Sequence, residues 1–376
     1  MILPGATLGI LGGGQLGRMF TVAARTMGYR VIVLDPDPDS PAGRMADEHL
    51  HAAYTDAWAL DQMAAACAAV TTEFENVPAE SLERLARHCP VRPSARALER
   101  AQDRIEEKTY VRRLGLETVP FQPVRTVGDL PSAWQAVRGP AILKRASLGY
   151  DGKGQMPVAT QVEAEQAFHA MGEAPCVLER RVDLALELSV ILARSVNGEC
   201  AAYPSAENAH RGGILHQSIV PARIEPGLAE QARAMAVTLA EGMDYVGVMA
   251  VEFFVTGDRR LLVNEIAPRP HNSGHFTIDA CVTSQFEQQV RAICGLPFGD
   301  TALLSPVVMT NLLGDLWQPD VPDWSVLLAH PRTKLHLYGK RVARPGRKMG
   351  HYCVLDESIE SAIVGADAIF AGLGDG

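Results

Sequence analysis

Val248-Met-Ala-Val-Glu-Phe-Phe-Val255 and Leu261-Leu-Val-Asn-Glu-Ile266, followed by Ala267-Pro-Arg-Pro-His-Asn-Ser-Gly-His275, decide how the chain is read. The two β-rich runs flank Thr256-Gly-Asp-Arg-Arg260, which predicts a β-hairpin with a glycine-containing loop. With Gly257 to Arg260 as the loop, Val251 falls opposite Ile266 and Glu252 opposite Glu265. Opposed residues have Cβ atoms roughly 4.5–5.5 Å apart, and like charges there repel. Two carboxylates so placed need a cation. Hard oxygen donors suit Mg²⁺, which takes its other ligands from phosphate and water. The residues that follow, Arg269, His271 and His275 among stiffening prolines, offer an anion site. The plainer alternative is an exposed hairpin with ordinary surface charges, against which Glu252 stands between apolar neighbours.

The 376 residues suffice for two or three domains. An apolar content of 47% with 21% charged residues is that of an ordinary soluble globular protein. The net charge of −9 speaks against a nucleic-acid or anionic-membrane surface. There is no basic segment followed by an apolar core at the N-terminus and no run of about 18 apolar residues, so neither a signal peptide nor a membrane span is expected. Seven scattered cysteines without a CxxC pair suit reduced thiols and a cytoplasmic location.

Thr7-Leu-Gly-Ile-Leu11 reads as a buried strand. It leads into Gly12-Gly-Gly-Gln-Leu-Gly17 and a helix over Arg18 to Met27, then a strand Tyr29–Asp35. The G-x-G-x-x-G spacing at Gly12, Gly14 and Gly17 suggests a dinucleotide loop, on a motif that is weak when it stands alone. Ala57–Ala66 reads as a helix. Ala69-Val-Thr-Thr-Glu-Phe-Glu75 reads as a strand placing Glu73 and Glu75 on one face, and Pro78–His88 as a helix. The first ~100 residues are therefore expected to form an open α/β unit with a mostly parallel sheet. Arg100–Leu114 reads as one charged helix stopped by Gly115. The strand Ala141–Lys144 runs into Arg145-Ala-Ser-Leu-Gly-Tyr-Asp-Gly-Lys-Gly-Gln155, a loop able to wrap a polyphosphate or, more plainly, a flexible hairpin tip. It lacks the P-loop spacing. A hinge between the strands Cys176–Glu179 and Ala185–Leu192 would suit an adenine edge. Ala229–Gly242 and Ser284–Cys294 read as helices. Lys334-Leu-His-Leu-Tyr-Gly-Lys340 with Arg341, Arg344, Arg347 and Lys348 is a basic knot, pinned by Gly339 and Pro345-Gly346. It is either a solvated face or a site for a phosphate monoester.

Together these motifs resemble the ATP-grasp superfamily and, within it, the N5-carboxyaminoimidazole ribonucleotide synthetase family of purine biosynthesis. The resemblance is carried by Gly12-Gly-Gly-Gln-Leu-Gly-Arg18, Thr72-Glu-Phe-Glu75, Gly149-Tyr-Asp-Gly-Lys-Gly-Gln155, Tyr245-Val-Gly-Val-Met-Ala250, Asn264-Glu-Ile-Ala-Pro-Arg-Pro-His-Asn-Ser-Gly-His275, Tyr338-Gly-Lys340 and Arg347-Lys-Met-Gly-His351. It implies an α/β ATP-grasp fold in three parts: an N-terminal pre-ATP-grasp, Rossmann-like parallel-sheet domain over 1–100, a small lid domain over 101–182, and a larger mixed α+β C-terminal domain over 183–376 holding the basic loop. It implies an ATP-dependent ligase that carboxylates 5-aminoimidazole ribonucleotide with bicarbonate through carboxyphosphate, with ATP and Mg²⁺, as a homodimer.

Carried over residue by residue, the resemblance implies that Arg104, Lys144 and Lys153 meet the ATP phosphates, within a loop of Gly149, Tyr150, Asp151, Gly152, Gly154 and Gln155. Glu179 and Val182 would meet adenine, Glu187 the ribose, and His210 the nucleotide pocket. Glu252 and Glu265 would hold Mg²⁺ with Asn264 beside them. Arg269, His271 and Asn272 would hold bicarbonate, and Asp151 would orient the amine. Gln15, Leu16, Tyr150, Asp151, Lys340 and Arg347 would hold the ribonucleotide, with Glu73 or Glu75 near its ribose. Some members have His-Asn-x-His where this chain has Glu207-Asn-Ala-His210, which leaves the role of Glu207 open. Arg269 has the planar fork that suits bicarbonate, and a closing lid would shield carboxyphosphate from water.

Three other readings are weighed against this one. An NAD-dependent dehydrogenase would use the glycines and Asp35 but leave Glu252 and Glu265 unexplained. Another ATP-grasp carboxylate–amine ligase would share the acidic pair but not the Lys340/Arg347 cluster. A non-catalytic nucleotide sensor would have little use for Arg269 and His271.

Overall fold

The computed structural model describes residues 1–147, 149 and 154–374. Its N-terminal sheet has four parallel strands in the order Glu48–Leu50, Arg30–Leu34, Thr7–Leu11, Ala69–Thr72. Both faces are covered, which is why these strands are nearly continuous apolar runs. Leu11, Ile32 and Val70 pack with the helices Ala57–Ala66 and Ala79–Ala86, while Leu8, Ile10, Val31 and Val33 pack with Gln15–Thr26 and Gln285–Cys294.

A small antiparallel sheet follows, in the order Phe121–Val124, Cys176–Arg180, Ala141–Arg145, Gln155–Val158. The helices Leu130–Val137 and Gln161–Ala170 cover one face through Leu130, Val137, Ala164 and Phe168. The third sheet has nine antiparallel strands, running from Leu261–Ala267 through Gly247–Thr256, Leu184–Arg194, Ala206–Arg211, Ile214–Val220, Val307–Leu313 and Lys348–Leu355 to Thr333–Leu337. Cys200–Ala202 pairs separately with Leu184–Arg194. Helix Pro226–Gly242 buries Ala232, Ala236, Leu239 and Ala240 against one end of this sheet, and Ile359–Gly374 covers the other.

Gln289 fastens the first sheet to the third. Its Nε2 donates to Thr71 Oγ1 at 2.8 Å and its Oε1 accepts from Val248 N at 2.5 Å. The basic loop also returns to the glycine loop: Lys340 Nζ donates to Gln15 Oε1 at 2.8 Å, and Arg44 donates to Gly339 O.

Two expectations are corrected. The charged stretch Arg100–Leu114 is two helices, Ala95–Gln102 and Arg104–Arg113. Asp103 breaks it: its backbone is extended and its carboxylate caps Ile105 N at 2.8 Å. The strand expected to reach Glu75 stops at Thr72, so Glu73 and Glu75 do not share a strand face. Among the described residues no helix is long and apolar enough to cross a membrane, and all seven cysteines are free.

Candidate active site

The acidic hairpin forms as expected at the carboxylates, Glu252 opposite Glu265 and Val251 opposite Ile266. The register arises differently, because Val255 pairs with Leu261, one residue off the expected alignment, and a bulge beyond Phe253 restores it. Asn264 is the extra residue. Its carbonyl accepts from Lys108 Nζ at 3.0 Å, while its side-chain Oδ1 is buried without a hydrogen-bond partner. Glu265 Oε2 accepts from Arg104 Nη1 at 2.8 Å, and Glu252 Oε1 lies 3.2 Å from His271 Nε2. Burial, then the charge of Glu265, raises the Glu252 carboxyl to about 7.

Glu179 sits between two ammonium groups, Lys144 Nζ at 2.7 Å and Lys108 Nζ at 3.1 Å. Burial opposes its ionisation, but the lysines hold it down at about 2. Lys108 is 1% exposed. Beside Lys144 and Glu179 is a cavity of about 310 Å³ lined by Val119, Ile142, Val182, Leu184 and Phe254 and by the hinge Arg180–Asp183. Its lining is mostly apolar, with the hinge residues Arg180–Asp183 along one edge. Glu187 Oε2 lies 3.2 Å from His210 Nδ1; burial opposes charge on that imidazole, yet Glu187 raises it above its ordinary value. Glu207 pairs with Arg223, whose Nε donates to Glu207 Oε2 at 3.0 Å.

Arg269 is aimed by Glu75. Its Nε donates to Glu75 Oε2 at 2.7 Å and its Nη1 to Pro270 O at 3.2 Å. Burial would protonate Glu75, but Arg269 holds its carboxyl below the usual range. Glu75 thus serves Arg269, a role the alternation of Glu73 and Glu75 did not suggest. His271 is neutral, pushed well down by burial and then by Arg269, with Nδ1 at 2.8 Å from Ser273 Oγ. Asn272 is locked in a reciprocal amide pair with Asn311, at 2.7 and 3.0 Å.

The glycine loop is filled from within. Glu73 accepts from Gly14 N and Gly17 N, and a Cβ on Gly14 would stand 2.3 Å from Glu73 Oε1. Asp35 accepts from Gly13 N at 2.6 Å and from Tyr54 Oη at 2.7 Å. The amides and the acid that would bind a dinucleotide are engaged, which corrects that expectation.

Gln15 meets Lys340, whereas Leu16 packs into the core beside it. Lys340 also donates to Lys348 O at 2.6 Å, and Arg347 Nη1 to Val342 O at 2.8 Å. Gly149 is part-buried. Gly154, at φ +72°, turns the chain so that its carbonyl accepts from Arg145 N at 2.8 Å, and Gln155 begins the strand beside Lys144. Tyr150, Asp151, Gly152 and Lys153 lie outside the described residues.

Sequence reasoning missed Lys108, Glu107 and Asn311. Glu107 accepts from Ile266 N; burial and Glu265 raise it to about 8. Both Glu107 and Lys108 look like surface residues of a charged helix, and only their place beside the buried Ile105 and Val111 hints otherwise.

Comparison with known proteins places this geometry. Residues 5–102 match the ribonucleotide synthetase preATP-grasp domain, 109–286 the ATP-grasp domain, and 307–364 the phosphoribosylaminoimidazole carboxylase C-terminal domain. The chain is 47% identical over 351 residues to the N5-carboxyaminoimidazole ribonucleotide synthase of Bacillus subtilis (strain 168), covering 93% of this chain and 92% of that one. It is likewise 47% identical over 350 residues to the Brucella melitensis enzyme of that name, covering 93% and 96%. The solved ADP complex of an N5-carboxyaminoimidazole ribonucleotide synthetase superposes with TM-score 0.93 at 43% identity, covering 100% of this chain and 98% of that one. The Aspergillus clavatus synthase in complex with ADP and 5-aminoimidazole ribonucleotide superposes with TM-score 0.90 at 30% identity, covering 98% and 99%.

Proposed function

Because this chain belongs to the N5-carboxyaminoimidazole ribonucleotide synthase family of ATP-grasp ligases, we propose that it joins bicarbonate to 5-aminoimidazole ribonucleotide with cleavage of ATP to ADP and phosphate. The observation that carries this reading is the meeting of the acidic hairpin with the anion loop: His271 Nε2 lies 3.2 Å from Glu252, and Arg269 is aimed by Glu75. An ATP-grasp enzyme needs the acidic pair; a carboxylating one needs an anion site beside it.

The donor set fits Mg²⁺. Two opposed carboxylates and the partnerless Asn264 Oδ1 are hard oxygens, and burial followed by the Glu265 charge raises the Glu252 carboxyl, a cost that a bound cation would offset. Bound there, the ion would neutralise charge on the transferring phosphoryl group. The apolar slot would take adenine, with Glu179 and the 180–183 backbone at its edge and Glu187 toward the ribose. Lys144, positioned by Glu179, and Lys153 would face the phosphates. Arg104 orients Glu265 in addition to any phosphate contact.

In the proposed reaction a bicarbonate oxygen attacks the γ-phosphorus, ADP leaves, and carboxyphosphate forms. Arg269 would offer Nη2 to that anion, since Glu75 takes its Nε and Pro270 O an Nη1 hydrogen. Neutral His271, whose Nδ1 accepts from Ser273 N, carries its proton at Nε2 and can donate there to the bicarbonate anion or to Glu252. The ribonucleotide amine then bonds to the carboxyl carbon, or to the CO₂ released from it; the C–O bond to phosphate breaks, and phosphate departs with the proton that the amine loses. Lys340 and Arg347 would hold the ribonucleotide phosphate, and Asp151 would accept a hydrogen bond from the amine. Such catalysis is chiefly positioning and electrostatics. The reading includes the three-part division at 100 and 182 and a homodimer, to be checked by sedimentation.

The test is ADP release with bicarbonate, with and without the ribonucleotide, alongside radiolabelled product. ADP release independent of bicarbonate would exclude the proposal.

A further inference from the structure

Behind the basic loop lies a buried polar wall that none of these steps uses. Tyr338 is 1% exposed, and its hydroxyl lies 2.9 Å from His351 Nδ1. His351 stacks on His336 at 4.5 Å and 12°, and His336 Nε2 lies 2.8 Å from Asp279 Oδ2. His275 stands edge-on to Tyr338 at 6.1 Å and 4.9 Å from the His351 ring. Gln285 ties this wall to the anion loop. Its Nε2 is 3.2 Å from His275 Nδ1 and donates to His271 O at 2.8 Å, while its Oε1 accepts from His271 N at 2.9 Å. On the other side, the Lys340 ammonium lies 5.4 Å from the Tyr338 ring centroid.

Polar rings in a core are costly where leucine would pack. What they add is direction, since a buried hydrogen-bonded network admits one arrangement where an apolar core admits several. Burial keeps His275 and His351 neutral, so each ring nitrogen is either a donor or an acceptor. From the His271 backbone the path runs by hydrogen bonds through Gln285 to His275, crosses by ring contact to His351, and continues by hydrogen bond to Tyr338, two residues before Lys340.

We propose that Tyr338 and His351 are positioning residues for the ribonucleotide phosphate, acting through Lys340 by fastening its loop to the anchor of the anion loop. The two substrates would thereby be held in register by one wall. This rests on the reading that Lys340 contacts the ribonucleotide.

Tyr338→Phe removes one hydroxyl and keeps the ring beneath the ammonium. The KM for the ribonucleotide is expected to rise about five- to tenfold, the scale of one lost hydrogen bond. The kcat and the KM for ATP should stay within about twofold. Placed in Lys340→Ala, the same change should add nothing, because it acts through that side chain. His351→Leu should behave like Tyr338→Phe. His351→Asn, which returns a polar atom near the Nδ1 position, should restore most of the loss. An unchanged ribonucleotide KM in Tyr338→Phe overturns the proposal, as does the same fold-rise in both backgrounds. Should Tyr338→Phe not fold, the two His351 variants decide on the same criteria. If Lys340→Ala itself leaves the ribonucleotide KM unchanged, the functional reading of the basic loop falls as well.

Discussion

In the glycine loop the Glu73 carboxylate is received by the amides of Gly14 and Gly17; in the acidic hairpin Glu252 faces Glu265 across two strands. The first carboxylate is closed by backbone amides, whereas the second pair, flanked by Arg104 and His271, sets two carboxylates against each other. Both regions carry motifs that suggest ligands in sequence, yet only one opposes like charges. A motif's partner, rather than its spacing, decides whether it binds something else.

The largest effect is expected at the open pair. Glu265→Gln or Glu252→Gln should reduce ATP turnover by roughly 10³ or more, since each removes a charge from the proposed Mg²⁺ donor set. The fold should not suffer. Glu252 is raised to about 7 in the folded chain against roughly 4.3 unfolded, so its contribution to stability is present at low pH and lost as pH rises through 7. Without added Mg²⁺, Glu252→Gln should melt at or above wild type at pH 8, with the gap closing toward pH 5. A variant that turns over normally at ordinary Mg²⁺ would break the comparison outright.

Arg269→Lys comes next. It keeps charge but loses the fork that Glu75 aims. Carboxylated product should fall about 100-fold, the scale of one preorganised donor, with ATP still bound. Some ADP release should persist, uncoupled from product as carboxyphosphate hydrolyses. Parallel ADP and product assays measure the ratio; equal loss of both would move Arg269 from the anion site to the nucleotide.

A smaller change is expected from Lys340→Ala with Arg347→Ala, read as a rise in the ribonucleotide KM with the ATP KM nearly constant. Each charge-assisted bond lost costs about 1.5–3 kcal/mol. A fall in ATP affinity alone would assign the basic loop to the nucleotide.

Much of this contrast was legible in the sequence. Helix Ala57–Ala66 and strand Thr7–Leu11 stand where periodicity puts them, and Glu252 faces Glu265. What escaped depends on tertiary contacts. Asp103 splits a helix because its side chain caps better than it propagates. The bulge at Asn264 has no signature in an otherwise regular run, and the Oδ1 of that residue is buried without a hydrogen-bond partner. Glu73 and Glu75 differ by two positions and serve different loops, since the strand ends before either. Lys108 carries little mark of burial, because it lies on a charged helix and its partner Glu179 is far along the chain in the small antiparallel sheet.

The smallest expected effect tests the closed site. Glu73 is half-buried; burial raises its carboxyl, and the Gly17 and Gly14 amides oppose that rise. Glu73→Gln keeps the shape but places an NH₂ against one of two N–H donors. One charge-assisted bond is lost and one amide is left facing a donor, a cost of about 1–3 kcal/mol to the fold. The thermal midpoint should therefore fall by a few degrees, whereas Glu252→Gln should not lower it. The ATP KM should hold, because the glycine loop lies on the first sheet, away from the adenine slot. Through Gln15, which shares its loop with Gly14 and accepts from Lys340, a modest rise in the ribonucleotide KM is expected. Thermal melts of both variants at one pH, with KM measured for each substrate, decide the matter. If Glu73→Gln melts like wild type and fails in turnover instead, Glu73 belongs to the reacting site, and the distinction between closed and open carboxylates is lost.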